Sequence, residues 1–123
     1  MASILVVEDA KYLQKLISET LKLRGHEVVF AESGKGAYRL CQEDPFDLII
    51  TDIVMPDMDG IELIRSLRAS RSQAPILAVS GAFEGTLKIA LALGAAATLK
   101  KPFGPADLLA AVDKIFANGK FTP

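Results

Sequence analysis

Apolar residues along this chain follow two alternating rhythms. Short runs at Ser3–Val7, His26–Ala31, Leu48–Thr51, Ile76–Val79 and Ala97–Lys100 have the length and β-branched character of strands. Between them the apolar positions are spaced for helices. Residues Ala10–Arg24 carry Leu13, Leu16, Ile17, Leu21 and Leu23 at largely helical spacing, and Gly25 stops them. Ser33 predicts the N-cap of a helix reaching about Glu43, and Pro45 ends that region. Gly60–Ser70 is helical through Ile61, Leu63, Ile64 and Leu67; Phe83–Leu93 ends at Gly94; Pro105–Asn118 is stopped by Gly119. Five β units alternating with five α units predict an α/β sheet with helices on both faces. Ile4–Val7 and Leu48–Ile50 are apolar at every position, as parallel strands buried on both faces require. Right-handed crossovers then leave few topologies.

Composition narrows the class. The 123 residues suit one domain, and half are hydrophobic, enough for a core without disulfides or structural metals. The net charge is -1 and no basic run exceeds Lys100-Lys101, which argues against direct nucleic-acid binding. A single cysteine, Cys41, excludes an internal disulfide and fits a reducing compartment. Within its predicted helix it reads as a small buried hydrophobe. Met1-Ala2-Ser3 runs straight into a strand with no signal-peptide pattern, and no apolar stretch is long enough to span a membrane, so no membrane role and a cytoplasmic location are expected. The short tail Phe121-Thr122-Pro123 leads to the expectation of a single domain over residues 1–123, without an output domain.

Chemistry gathers where the apolar runs stop. The first ends on Glu8-Asp9, the third on Asp52, the fourth on Ser80 and the last on Lys100-Lys101-Pro102-Phe103. If these are neighbouring parallel strands, three carboxylates, a hydroxyl and an ammonium meet at one edge of the sheet. Bare carboxylates so placed must share a proton or bind a cation. Oxygen-only donors favour a hard ion, and Mg²⁺ fits best. A simpler reading of Glu8 and Asp9, compatible with the first, is that they sit at the positive end of the following helix. Asp52 is the candidate nucleophile, since a carboxylate can attack phosphorus to form an acyl phosphate. The cation and a lysine would neutralise the phosphoryl oxygens. Ser80 either hydrogen-bonds that phosphate or caps a turn, and Gly81 beside it leaves the crevice open. His26 is the single histidine and lies near the start of the second strand, remote from this edge, so a phosphoryl group must come from elsewhere. Asp57 and Asp59, with Pro56 and Gly60, read as turn and cap residues. Met55 and Met58 read as packing or rim residues, and Phe103 as core.

The stretch Asp52-Ile53-Val54-Met55-Pro56-Asp57-Met58-Asp59-Gly60 is specific, and its order with Glu8-Asp9, Ser80 and Lys101-Pro102-Phe103 resembles the receiver domain of two-component response regulators from Ser3 to about Phe116. The resemblance implies a flavodoxin-like (βα)5 sandwich with strand order 2-1-3-4-5. Such sheets carry their sites beyond the strand carboxyl ends, at the switch between strands one and three. It further implies Asp9 and Asp52 as direct Mg²⁺ ligands, the Val54 carbonyl as a third, and Glu8 acting through water. It makes Lys101, immediately before Pro102, the active-site ammonium rather than Lys100, and it makes Ser80 the link between phosphorylation and shape. The Lys101–Pro102 bond is a candidate for the cis form. The donor implied is a phosphohistidine on a sensor histidine kinase or histidine phosphotransfer protein. The face formed by the fourth helix, fifth strand and fifth helix is implied as a surface for targets or self-association.

Two departures stand out. Glu8 replaces the commoner aspartate, a mild change. Thr98 stands three residues before Lys101, where the family usually has an aromatic that swings inward, so the usual switch is in doubt; the Ser80–Gly85 loop with Phe83 is one substitute. Leu87-Lys88-Ile89-Ala90-Leu91-Ala92-Leu93 is apolar on more than one helical face, either an exposed patch or a wholly buried helix. The leading function is a phosphorylation-controlled switch whose only catalysis is on itself. A Mg²⁺-dependent phosphohydrolase is the alternative, but its general acid two residues after the nucleophile would be Val54. A receiver-like binding module without phosphorylation is a third reading. A flavin carrier is disfavoured by Glu8-Asp9, and a P-loop nucleotidase by the missing Gly-x-x-x-x-Gly-Lys.

Overall fold

In the computed structural model, which describes residues 2–54, 59–70, 72–81 and 84–118, strands and helices alternate among the described residues. The order is β1 (Ser3–Val7), α1 (Lys11–Lys22), β2 (Glu27–Ala31), α2 (Gly34–Glu43), β3 (Leu48–Asp52), α3 (Gly60–Ala69), β4 (Ile76–Ser80), α4 (Glu84–Ala92), β5 (Ala97–Lys100) and α5 (Pro105–Asn118). The strands form one parallel sheet in the order β2-β1-β3-β4-β5. Beta strands β3 and β4 each run one residue further than the apolar pattern suggests. Asp52 pairs with Val79 and Ser80 with Lys100, so both polar residues are held by the ladder itself.

Alternation along each strand builds two cores. Leu5, Val7, Ile49, Ile53, Ile76 and Ala78 face α2, α3 and α4, where Ala37, Leu63, Ile64, Leu67 and Ala90 meet them. Ile4, Val6, Leu48, Ile50, Leu77 and Val79 face α1 and α5 through Leu13, Ile17, Leu21, Leu108, Val112 and Ile115. This double burial explains why the central strands are apolar at every position. Each fully buried Leu or Ile contributes about 2 kcal/mol from apolar surface removed from water.

Local chemistry sets the helix ends. Ser33 caps α2, its hydroxyl accepting from Gly36 N–H at 3.1 Å, and Asp59 caps α3 by accepting from Glu62 N–H at 2.9 Å. Helix α1 begins one residue later than the spacing suggests, because Ala10 is extended and serves as N-cap without a side-chain bond. Gly25 and Gly94 follow α1 and α4 at φ of +79° and +114°, a region L side chains adopt at a cost. Among the described residues, no helix is long and apolar enough to cross a membrane.

Helix α4 decides between the two readings of its sequence. Ala90 is buried, while Ile89 and Leu91 remain 50% and 47% exposed, so the helix is not wholly covered. Cys41 lies half-buried in α2, and burial pushes its thiol up to about 11, as expected of an inert packing residue.

Candidate functional site

Strands β1 and β3 are neighbours, but their connections leave in opposite directions, toward β2 and toward β4. That divergence opens a crevice beyond their carboxyl ends. Glu8 and Asp9 follow β1, Asp52 ends β3, Ser80 ends β4, and Lys101 follows β5. Carboxylate oxygens of Glu8, Asp9 and Asp52 lie within 4.8 Å of one another. The Lys101 ammonium bridges two of them, donating to Glu8 Oε1 and Asp52 Oδ2 at 3.0 Å each. Lys100, one residue earlier, is exposed, so the strand alternation selects Lys101. The Lys101–Pro102 peptide is cis.

Glu8 and Asp52 are buried and Asp9 is exposed. Burial pushes the Glu8 carboxyl above its ordinary range and the nearby Asp52 charge adds to this, against the opposing Ala10 N–H and Lys101. Burial alone would pull the Lys101 ammonium down, but hydrogen bonds to Glu8 and Asp52 outweigh it and hold the ammonium above its usual value. Two carboxylates about 5 Å apart repel by about 3 kcal/mol at an effective dielectric constant of about 20. One ammonium against three carboxylates leaves a negative excess, and the donor atoms are all oxygen. This cluster fits a hard divalent cation.

The backbone around Asp52 is closely held. Val54 N–H donates to Asp52 Oδ1 at 3.3 Å, and the Val54 side chain projects into solvent at the rim. Ile53 N–H donates to Val79 O at 3.0 Å, and Gly60 N–H donates to Ile53 O at 2.8 Å. A Cβ on Gly60 would stand 2.4 Å from Asp52 O and 2.7 Å from Ile53 Cα, so a side chain there would displace the strand that carries the acid. Ser80 is fully buried, and its carbonyl accepts from Lys101 N–H at 2.9 Å. Gly81 lies against the Lys101 stem, with room for a Cβ 3.4 Å away. Neither Glu8 nor Asp9 caps α1: Glu8 Oε2 instead accepts from Ala10 N–H at 3.0 Å, before the helix begins.

Other sequence candidates fall outside the crevice. His26 sits at the opposite end of the sheet, where its Nδ1 accepts from Ala2 N–H at 3.1 Å and its ring tilts against Phe116 at 5.7 Å. Phe103 packs against the α1–α5 core. Thr98 is partly buried in β5, in register with Ala78. Met55, Asp57, Met58 and Phe83 lie outside the described residues. A cleft of about 380 Å³ around Cys41, Phe46 and Ala74 lies toward the other end of β3, away from the carboxylates.

Two residues that the motif does not single out also touch this site. The Thr51 hydroxyl, fully buried, donates to Asp52 O at 2.8 Å. Gln14, on the buried face of α1, donates from Nε2 to Glu8 O at 2.5 Å. The signal for Gln14 was an amide among Leu13, Ile17 and Leu21 on the buried stripe of α1, which also carries the hydroxyls of Ser18 and Thr20.

Comparison with known proteins agrees with this geometry. The family model described as "Response regulator receiver domain" matches residues 4–113. The chain is 37% identical over 118 residues to the transcriptional regulatory protein CusR of Escherichia coli K12, covering 94% of this chain and 52% of that protein. It is 35% identical over 116 residues to the response regulator receiver protein CpdR of Brucella abortus, covering 94% and 97%. The chain therefore spans about half the length of several curated relatives and nearly the whole of another. The structure of chemotaxis protein CheY4 of Vibrio cholerae superimposes with a TM-score of 0.86 at 33% identity, covering 94% of this chain and 98% of that one. With the family model spanning most of its length, this chain belongs to the response regulator receiver domain family.

Proposed function

We propose that this chain is a phosphorylation-controlled signalling switch in which Asp52 accepts a phosphoryl group from a phosphohistidine. The observation that carries the reading is the Lys101 ammonium bridging Asp52 and Glu8 inside a carboxylate cluster at the sheet's switch point. The donor is a sensor histidine kinase or a histidine phosphotransfer protein. Asp9 and Asp52 through their carboxylates, Val54 through its carbonyl and Glu8 through water would hold Mg²⁺. Bound there, the ion supplies positive charge to the phosphoryl oxygens.

An Asp52 carboxylate oxygen attacks phosphorus as the phosphorus–nitrogen bond breaks, and the bonding pair leaves with the imidazole. Lys101 donates to a phosphoryl oxygen while remaining within reach of Glu8, so the new negative charge meets an ammonium already in position. The Ser80 hydroxyl donates to a second phosphoryl oxygen and transmits the change to the connection leading into α4. Attack by water later returns the carboxylate and inorganic phosphate. The output partner binds the face made by α4, β5 and α5, where Ile89 and Leu91 are half exposed. A cytoplasmic setting fits the free Cys41. The transcriptional role in the name of CusR belongs to a protein about twice as long as the matched region.

Intact-mass spectrometry after incubation with acetyl phosphate and Mg²⁺ tests the reading. One added phosphoryl group is expected on the wild type, with none after chelation and none on Asp52→Asn. A folded, Mg²⁺-binding wild type that gains no mass from acetyl phosphate or from a phosphorylated histidine protein would sink it, and leave a binding module.

A further inference from the structure

We propose that Gln14 is a positioning residue for the acidic pair, setting the peptide plane between Glu8 and Asp9 for cation binding. The inference rests on the cation-dependent reading above. Strand β1 runs past its neighbour: the register of β1 with β2 ends at Val7 and Ala31, and Glu8 N–H still donates to Ala31 O at 3.1 Å. In a parallel ladder the N–H and C=O of one residue address the same neighbouring strand. Strand β2 has ended, so the Glu8 carbonyl needs a donor from elsewhere, and a buried carbonyl without one is costly.

Gln14 supplies that donor. Its side chain is buried in the first turns of α1, and Nε2 lies 2.5 Å from Glu8 O. The carbonyl it holds belongs to the rigid unit that also contains the Asp9 nitrogen, so fixing it fixes the direction in which Asp9 leaves β1. Glu8 is thereby committed at four points: N–H to Ala31, carbonyl to Gln14, Oε2 to Ala10 and Oε1 to Lys101. With Glu8 so occupied, Asp9 is the acid of the pair left to face a cation directly, and its aim depends on the peptide that Gln14 grips. Partners of this kind, one bond removed from a metal, govern affinity by orienting the ligands.

Calorimetric titration of the intact chain with Mg²⁺ alone tests this, using wild type, Gln14→Met and Thr20→Val. Methionine keeps the length of Gln14 and loses the donor. Thr20→Val removes a different α1 hydrogen bond, the 2.7 Å contact from Thr20 Oγ1 to Leu16 O, away from the crevice. Gln14→Met is expected to raise the Mg²⁺ Kd roughly tenfold, with Thr20→Val at the wild-type value. A merely structural Gln14 would lower the thermal midpoint without moving the Kd, and that result overturns the proposal. Should Gln14→Met not fold, the wild type still decides by NMR. One Gln14 carboxamide proton should exchange slowly and shift during Mg²⁺ titration with the same midpoint as the Asp9 amide. A freely exchanging carboxamide that Mg²⁺ leaves unmoved overturns it. Absence of Mg²⁺ binding by the wild type overturns the cation reading itself, and this inference with it.

Discussion

Lys101 holds its ammonium 3.0 Å from both Glu8 and Asp52, whose side chains are 3% and 9% exposed. Removing one partner from a buried ion cluster leaves charges uncompensated, at about 3 kcal/mol or more. Lys101→Met is therefore expected to destabilise the metal-free protein by about 3 kcal/mol in urea denaturation. Its Mg²⁺ binding should tighten, because one like charge leaves the crevice, while phosphoryl uptake is lost. Weaker Mg²⁺ binding by a folded Lys101→Met would contradict this electrostatic account. His26 gives a pH dependence of its own. Burial pulls its imidazole below the ordinary value, and Nδ1 must stay unprotonated to accept from Ala2. Arg24 lowers it further, while Asp113 and Asp47 oppose this. The unfolded chain then binds the proton more readily, so this contribution to stability is intact above about pH 6.5. It is lost as pH falls through the ordinary value toward the lower folded one. The difference in urea midpoint between wild type and His26→Gln, followed from about pH 8 to about pH 5.5, should change in that direction. A difference that does not vary with pH would refute it.

Helix ends and crossings are decided by a few directed bonds. Arg68 leaves α3 and donates to three carbonyls: Ser72 at 2.7 Å, Ala74 at 3.2 Å and Gly94 at 3.2 Å. One guanidinium thus ties the end of α3, the entry to β4 and the turn between α4 and β5. At Gly94 a Cβ would meet Arg68 Nε at 3.1 Å, so both the positive φ and the clasp favour glycine there. Burial pulls the Arg68 guanidinium down from its usual value, yet it stays charged at any ordinary pH. Arg68→Met should cost about 2 kcal/mol through the lost charged donors. Hydrogen exchange should speed up at Ala95 and Ala96, whose N–H groups bond Ala90 and Ile76, before it changes in the centre of β1 or β3. Uniform acceleration across the sheet would show that Arg68 supports global stability rather than this turn.

At the scale of the molecule, two apolar layers fix the sheet, while α4 keeps two large aliphatic side chains partly in water. Ile89 and Leu91 are half exposed on α4, so charging either removes little packing. Leu91→Glu is expected to leave the thermal midpoint nearly unchanged, within about 0.5 kcal/mol of stability. It should weaken self-association or target binding of the phosphorylated protein, as measured by sedimentation. Unchanged association in a folded Leu91→Glu protein would remove α4 from the proposed output face.

Much of this arrangement was readable along the chain, because its causes are local. Burial on both faces makes strands apolar at every position, as in Ile4–Val7, and helical spacing marks a stripe such as Leu13, Ile17 and Leu21. Caps at Ser33 and Asp59 act over three residues. Acids at the ends of apolar runs placed Glu8, Asp9 and Asp52 together once a parallel sheet was inferred. The pattern could not choose a fate for α4, which is apolar around more than one face. Only packing buried Ala90 and left Ile89 and Leu91 outside. The pattern brought a lysine to the same edge as these acids, but that Lys101 bridges two of them at once, 93 and 49 positions away, was decided by packing. The Arg68 clasp on Gly94, 26 residues distant, and the Gln14 bond to Glu8 were equally hidden. Those contacts arise where one element ends before its neighbour or two elements cross, leaving a carbonyl or a charge to be satisfied by whichever side chain the fold brings within reach.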